Sequence, residues 1–166
     1  MTRGSNWLIG FTSQSRFPDE AAGTGGCDDR HHHDGEAHVR RVTGIGGVFF
    51  KADNPAALCD WYRDHLGLDV QEWGGAVLAW ADADGNPIRG TTVWSVTDTG
   101  SDHFAPSTAH FMVNYRVDDL DALLEALRTE GCDVLEATDE SELGKFGWVI
   151  DPEGNKVELW EPPSGQ

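Results

Sequence analysis

After residue 42 the chain alternates between two hydrophobic patterns, and the same order of patterns occurs twice. Runs in which every second residue is apolar predict strands, because successive side chains of a strand point to opposite faces. One longer segment in each half has apolar residues three and four positions apart, which predicts an amphipathic helix. The first half has predicted strands at 44–52, 68–73, 76–82 and 91–97 and a helix at 54–65. The second half has predicted strands at 109–117, 133–137, 147–150 and 156–160 and a helix at 119–130.

Both predicted helices carry residues that favour helix ends. Asp53 is the expected N-terminal cap of the first helix, Pro55 suits its first turn, and Gly67 follows its last turn. Gly131 is expected to end the second helix. The second helix also has an apolar stripe formed by Leu120, Leu123, Leu124 and Leu127. These signals indicate two helices that each pack one face against a sheet.

Individual residues repeat as well as patterns. A spacing of 65 residues relates four positions around the helices: Asp53, Ala57, Leu58 and Arg63 to Asp118, Ala122, Leu123 and Arg128. A spacing of 69 relates three turn residues: Asp82, Gly85 and Asn86 to Asp151, Gly154 and Asn155. We therefore predict an α+β fold of two tandem βαβββ modules, about 44–98 and 109–162, whose curved sheets pair around a pocket.

The first 41 residues differ from the remainder. They have only scattered apolar residues and no sustained period of 2 or 3.6, so we expect a disordered extension before a folded domain at 42–166. His31, His32 and His33 could bind a transition metal, but a tail without a scaffold is a poor natural site. Translation could also begin near Val39 or Val42, which would make the extension an artefact.

Charge and cysteine content narrow the class of partner. The chain has 12 basic and 29 acidic residues and a pI near 4.5, so its surface would repel phosphates and anionic lipids. Nucleic acid and membranes are therefore not expected partners. Cys27, Cys59 and Cys132 are widely spaced and odd in number, which favours reduced thiols in the cytoplasm. No apolar run approaches the roughly 20 residues of a membrane span.

Three segments resemble the vicinal oxygen chelate superfamily, which includes glyoxalase I, bleomycin-resistance proteins and extradiol dioxygenases. They are residues 53–68 (DNPAALCDWYRDHLGL), 111–124 (FMVNYRVDDLDALL) and, most specifically, 151–162 (DPEGNKVELWEP). The resemblance covers about residues 44–162. It implies the paired-module fold, a small-molecule ligand and a homodimer.

The resemblance also implies four positions for a divalent metal, usually held by His, Gln or Glu. These positions fall on Gly47, on one residue of 92–94, on Met112 and on Glu158. Only Glu158 is a good ligand for a hard divalent ion. We therefore expect no metal cofactor. The alternative is an atypical metal site that uses Glu158 together with His110, which shares a strand face with Met112.

Strand periodicity then predicts which side chains face the pocket. An inward carboxylate without a metal must either ionise against a partner or stay protonated with a raised pKa. A carboxylate with a raised pKa can move a proton beside a carbonyl, so Glu158 is the candidate general base. It could equally be structural, with a hydrogen bond to Asn114 or the backbone. The predicted substrate-binding residues, which supply aromatic walls and a few polar groups, are Phe49, Trp94, His110, Met112, Asn114 and Trp160.

Three functions fit these residues. The first is metal-independent binding of an aromatic or hydrophobic compound, as in bleomycin-resistance relatives. The second is a glyoxalase-type lyase or isomerase that acts on a carbonyl substrate through Glu158, with or without an atypical metal. The third is a regulatory or interaction module whose pocket is vestigial, which predicts no stabilising small-molecule ligand.

Overall fold

The computed structural model describes residues 40–165. The predicted extension at 1–41 and its histidines therefore lie almost wholly outside the described residues, and the domain boundary at 42 stays a prediction. The described part contains two helices, α1 (Pro55–Leu66) and α2 (Leu120–Thr129). Its strands are β1 (Gly44–Ala52), β2 (Gly75–Ala81), β3 (Pro87–Asp98), β4 (Phe111–Arg116), β5 (Asp133–Ser141), β6 (Gly144–Ile150) and β7 (Lys156–Glu161).

All seven strands form one curved sheet in the order β2-β3-β1-β4-β7-β6-β5. The first strands of the two halves, β1 and β4, pair antiparallel at its centre, and each has the last strand of its own half parallel on its other side. This arrangement confirms the predicted α+β class and the pairing of two modules. Neither helix within residues 40–165 is long and apolar enough to span a membrane.

One predicted strand is wrong. Residues 68–73 pair with no strand of the sheet, so the first module has three strands where four were expected. Val70 is 8% exposed and packs in the core beside α1, and the Gln71 N–H donates to the Gly75 carbonyl in a tight turn. Burial of Leu68 and Val70 under the helix explains the apolar alternation that indicated a strand. As a result, β2 is an edge strand.

The N-terminal caps of the two helices lie 65 residues apart, as the repeat predicts, but the cap of α1 is not the predicted residue. Asn54, and not Asp53, caps α1: its side-chain oxygen accepts from the Ala57 N–H at 3.0 Å. Asp119 caps α2 in the same way, with the Ala122 N–H at 2.9 Å. Asn54 and Asp119 are 65 residues apart, the spacing inferred from the sequence. Gly67 ends α1 with a φ of 67°, a conformation that glycine adopts without strain.

The turns also repeat, but the hairpins that they close differ in length. Asp82 and Asp151 each accept the backbone and side-chain N–H groups of the asparagine four residues later. Those turns are 69 residues apart, whereas the strand register repeats at 63: Trp94 pairs with Val48 where Val157 pairs with Val113. Between the turn and this register β3 is therefore six residues longer than β7. The β2–β3 hairpin extends past the first residue of β1.

The two helices cover one face of the sheet with separate cores. The core under α1 includes Cys59 and Trp94, and the core under α2 includes Leu120, Leu124 and Leu159. Burial of these apolar side chains holds each helix on its own module. The opposite, concave face is left for other contacts, and both modules contribute strands to it.

Candidate functional site

A cavity of about 670 Å³ lies on the concave face, between the two modules. Its size falls in the range of roughly 300–1,000 Å³ that is typical of small-molecule sites. Most of its lining is apolar or aromatic, as such sites usually are. The lining residues are Gly46, Phe49, Val77, Arg89, Gly90, Thr91, Val93, Asn114, Leu143, Phe146, Trp160 and Gly165.

Aromatic side chains form the walls of this cavity. Phe146 on β6 and Trp160 on β7 lie side by side with nearly parallel rings, 13° apart in orientation, at a centroid distance of 6.4 Å. The Trp160 indole N–H donates to the Leu143 carbonyl at 2.8 Å, which fixes the ring. Phe49 on β1 provides a third ring. These rings can pack against a flat apolar ligand.

One polar group lies among these apolar walls. Asn114 is 3% exposed, and its Nδ2 donates to Glu158 Oε1 at 2.7 Å. The second carboxylate oxygen of Glu158 accepts the Trp148 indole N–H at 2.8 Å. Since a carboxylate needs donors, this bond sets the orientation of the Asn114 amide. Asn114 Oδ1 is then buried, with no hydrogen-bond partner among residues 40–165.

Gly46 makes room for this arrangement. A Cβ atom at this position would lie 2.1 Å from Asn114 Oδ1 and 2.6 Å from Cε3 of Trp160. Real Cβ atoms essentially never approach other atoms so closely. A residue without a side chain is therefore required where β1 passes under the Asn114 amide and the Trp160 ring.

The connector between the modules, residues 99–110, closes one end of the concave face. Phe104 is completely buried, with Lys51 Nζ 5.0 Å from its ring centroid. The His103 carbonyl accepts Lys156 Nζ at 2.6 Å, and His103 Nε2 lies 3.8 Å from Glu158 Oε2. Burial lowers the pKa of Lys156, partly offset by the negative charges of Glu158 and Asp102. This end is thus filled by protein.

The residues at the metal positions of the superfamily do not fit a divalent ion. Gly47 offers no donor, and the Phe49 ring lies over it, 2.8 Å from where its Cβ would be. Met112 is completely buried and offers only a thioether. Both oxygens of Glu158 already accept N–H groups. Within residues 40–165, no three His, Cys, Asp or Glu side chains are grouped to hold a metal ion.

The structure brings together three of the predicted binding residues: Phe49, Asn114 and Trp160 all line the cavity. Trp94 was also predicted to face the ligand, but it lies on the opposite, helix-covered face of the sheet. It pairs with Val48 and packs against Tyr62, with ring centroids 4.5 Å apart.

The remaining predicted site residues, Met112, His110 and Glu158, do not line the cavity. Met112 is on the concave face, paired with Phe49, but it is fully buried beneath other groups. His110 is exposed in the connector, and its carbonyl accepts the Lys51 N–H. It does not contact Glu158 in the described structure, so the atypical metal pair is not assembled. Glu158 lies behind Asn114 and is not among the lining residues.

Sequence reasoning missed Arg89 at the mouth of the cavity. Arg89 is exposed on the extended β2–β3 hairpin and also lines an adjoining polar groove of about 280 Å³ that contains Arg116. Trp80 anchors the hairpin: its indole N–H donates to Thr92 Oγ1, and Arg116 lies over its ring. The longer hairpin becomes visible only when the turn spacing of 69 is compared with the strand register of 63, which the structure provides.

Comparison with known proteins agrees with this fold. The family model described as a glyoxalase-like domain matches residues 47–160. Methylmalonyl-CoA epimerase from Streptomyces coelicolor, in complex with 2-nitronate-propionyl-CoA, is 19% identical over 74% of this chain and 99% of that chain, with a TM-score of 0.54. A glyoxalase/bleomycin resistance protein/dioxygenase superfamily member from Vibrio splendidus 12B01 is 12% identical over 69% and 95% of the two chains, with a TM-score of 0.47.

At 19% identity the epimerase is evidence for the fold alone. No protein of curated function matches this chain. The family model, however, covers more than half of the sequence and spans both modules. The chain therefore belongs to the glyoxalase-like domain family.

Proposed function

We propose that this protein binds an aromatic or hydrophobic small molecule in the concave cavity, without a divalent metal. One observation carries the proposal: aromatic and aliphatic side chains from both modules line a cavity of about 670 Å³. Residues without metal-binding chemistry, Gly47 and Met112, stand at two superfamily ligand positions. Such a site would hold its ligand by apolar burial and ring contacts.

A fluorescent apolar probe tests this proposal directly. N-phenyl-2-naphthylamine is uncharged and brightens in apolar surroundings, so titration of the full chain measures occupancy of the cavity. We expect saturable binding and a higher melting temperature in its presence, because a ligand of the native state stabilises it. Absence of both effects would favour the vestigial-pocket reading.

Two neighbouring residues of β2 provide a matched pair of variants. Val77 lines the cavity and is 56% exposed, whereas Leu78 is 44% exposed and is not among the lining residues. Val77→Trp should fill part of the cavity and weaken probe binding by about ten-fold or more, or roughly 1.4 kcal/mol. Leu78→Trp adds the same side chain outside the cavity and should leave affinity unchanged. Equal effects of the two variants would place the probe elsewhere.

Metal independence needs its own measurement. Probe affinity should be the same in protein stripped with a chelator and in protein supplied with Zn²⁺, Ni²⁺, Mn²⁺ or Fe²⁺. The expectation rests on the donor chemistry of Gly47, Met112 and the occupied Glu158 carboxylate. A metal that changes probe affinity, with the effect lost in Glu158→Gln, would contradict it.

A second candidate is a lyase or isomerase of the glyoxalase type that moves a proton beside a carbonyl through Glu158. The observation in its favour is a carboxylate 3% exposed and one hydrogen bond from the cavity residue Asn114. Against it, two N–H donors hold Glu158 in the manner of a structural carboxylate. Deuterium incorporation from D₂O into methylmalonyl-CoA or a dicarbonyl thiol adduct, absent in Glu158→Gln, would support catalysis.

A homodimer that pairs two β2 edges is also proposed. The β2 strand (GAVLAWA) carries no charge, whereas β5 at the opposite edge has four acidic residues, and unpaired neutral edges favour strand addition. Sedimentation velocity should show a dimer. Leu78→Glu should dissociate it by like-charge repulsion, while Leu66→Glu on α1 should not. A wild-type monomer at high concentration would contradict the proposal.

The proposed setting is the cytoplasm, with neither nucleic acid nor membranes as partners. Cys59 and Cys132 are free thiols, which suits a reducing compartment. The net charge of −17 disfavours binding to phosphate backbones and anionic lipids. Fractionation of cells that express the chain would test the location.

A further inference from the structure

We propose that the ligand is an amphipathic aromatic anion: its rings lie between Phe49 and the Phe146–Trp160 pair, a donor group bonds to Asn114, and its negative charge lies at Arg89. This inference rests on the proposed binding function and names the class of ligand. It follows from two polar features, a buried acceptor deep in the cavity and an exposed guanidinium at its mouth.

The deep feature is the side-chain oxygen of Asn114. The residue lines the cavity and is 3% exposed, yet Oδ1 has no partner among residues 40–165. A buried acceptor without a donor is costly, so native structures rarely keep one unless another molecule supplies the donor. The bond from Nδ2 to Glu158 prevents the amide from turning its N–H group to the ligand. The site thus selects an N–H or O–H donor.

The mouth feature is the guanidinium of Arg89. Three basic residues of the described structure form ion pairs: Arg41 with Glu130, Arg63 with Asp60 and Lys145 with Asp121. Arg89 has no ion pair in residues 40–165, although the surface is strongly acidic. It borders both the cavity and the adjoining groove, so its charge is available to a ligand that reaches from one into the other.

Two carboxylates in that groove, those of Glu161 and Asp118, could offset the positive charge of Arg89. Glu161 is already engaged, since its Oε2 accepts the Leu120 N–H at 2.8 Å and lies 3.9 Å from Lys145 Nζ. Asp118 is exposed at the helix start and lines the groove but not the cavity. Arg116 also lines the groove, over the Trp80 ring. Of the two carboxylates in the groove, Glu161 is therefore already hydrogen-bonded and Asp118 lies outside the cavity.

The net charge of the protein opposes the proposed preference for an anion. At a net charge of −17 the whole molecule repels anions, so non-specific electrostatics would favour a neutral probe over its anionic analogue. A preference for the anion can arise only from a local positive group. The sign of the preference therefore separates a built site from a general apolar surface.

The test compares two probes with the same rings. 2-Anilinonaphthalene-6-sulfonate is N-phenyl-2-naphthylamine with a sulfonate at the end opposite the amine. In low salt we expect the anion to bind the full chain about ten-fold more tightly than the neutral probe, which is the size of one charge-assisted contact. The advantage should shrink in about 0.5 M NaCl because salt screens exposed charges. The anion should also raise the melting temperature, which shows binding to the native state.

Matched variants assign the charge contact. Arg89→Gln should remove the advantage of the anion, measured as the ratio of the affinities of the two probes for the same variant. Arg128→Gln changes the net charge equally but lies on α2, outside the lining residues, and should keep the advantage. Loss of the advantage in both variants would mean that net charge, and not a site, produces it.

A third probe assigns the contact with Asn114 without mutation. 2-Phenoxynaphthalene-6-sulfonate keeps the rings and the charge but has an ether oxygen in place of the N–H group. In competition with the anilino compound it should bind about ten-fold more weakly, because it presents an acceptor to the Asn114 oxygen. Equal affinity would overturn the assigned donor contact.

The outcomes separate this inference from the proposed function. If neither naphthylamine binds, the binding function itself fails. If the neutral probe binds and Val77→Trp weakens it, while the anion binds no better or Arg89→Gln has no effect, the binding function stands and the anionic ligand class is overturned.

Discussion

Gly46 shows how much of the cavity depends on a single missing side chain. An alanine there would place a methyl group 2.1 Å from Asn114 Oδ1, so the amide or the Trp160 ring would have to move. We expect Gly46→Ala to lower the free energy of unfolding by about 1–3 kcal/mol, the usual cost of overpacking. Binding of N-phenyl-2-naphthylamine should weaken by about ten-fold or more, since each change alters the cavity lining.

Urea unfolding and probe titration measure these two effects separately. An alanine variant with unchanged stability and affinity would show that the Asn114 amide is free to move. The bond from Asn114 to Glu158 would then not fix the amide, and the inference about a ligand donor would lose its basis.

Trp94 shows where residue-level sequence reasoning reached its limit. Period-two alternation correctly groups residues that share a face, but it does not say which face the helix covers. Trp94 packs in the core under α1, whereas Val93 next to it lines the cavity. A shift of one residue thus exchanges the two faces, and only the register of β3 on β1 resolves it.

The connector between the modules is the element that fills one end of the concave face. Phe104 is completely buried there, so Phe104→Ala should lower the free energy of unfolding by about 3–5 kcal/mol. Phe111→Ala, at 45% exposure, is the control and should cost less than about 1 kcal/mol. Urea unfolding of both variants tests this. Similar losses would show that Phe104 is not the anchor of the connector.

The two repeated turns predict a pH dependence of stability. Hydrogen bonds from Asn155 lower the pKa of Asp151, and those from Asn86 lower the pKa of Asp82. A lowered folded-state pKa adds stability above the unfolded-state pKa, about 3.9, and this stability is lost as the pH falls through the folded-state pKa. Stability should therefore decrease in acid at both turns.

Replacement of one turn aspartate isolates this effect. Asp151→Asn cannot ionise, so its melting temperature should be lower than that of wild type at pH 7 and should fall less steeply below about pH 4. Asp84→Asn removes a carboxylate that accepts no hydrogen bond in the described structure and should keep the wild-type slope. An unchanged slope in Asp151→Asn would contradict the assignment.

At the element scale the sequence predicted most strands and both helices because their periodicity is strong. It failed at residues 68–73, where Leu68 and Val70 alternate like a strand but pack beside α1. It also missed the mouth of the cavity. Arg89 lies on the part of β3 that extends past β1, and hairpin length depends on pairing with distant residues and not on local pattern.

The whole molecule carries a strong charge imbalance. Residues 42–166 hold 7 basic and 23 acidic side chains, so like charges repel one another across a small domain. Because salt screens exposed charges, the melting temperature should rise by several degrees between about 0.01 and 0.5 M NaCl. Differential scanning calorimetry at pH 7 would measure the rise. A flat response would mean that local ion pairs such as Arg41–Glu130 already offset the repulsion.

Closure of the concave face by Phe104 has a consequence for rates. With that end filled, the ligand proposed above would enter past Arg89 and leave along the same route in reverse. The portion that enters first reaches Asn114, and the portion that enters last stays at the mouth. A bulky group at the trailing end would slow arrival and departure together, so residence time could change many-fold while the equilibrium affinity stays constant.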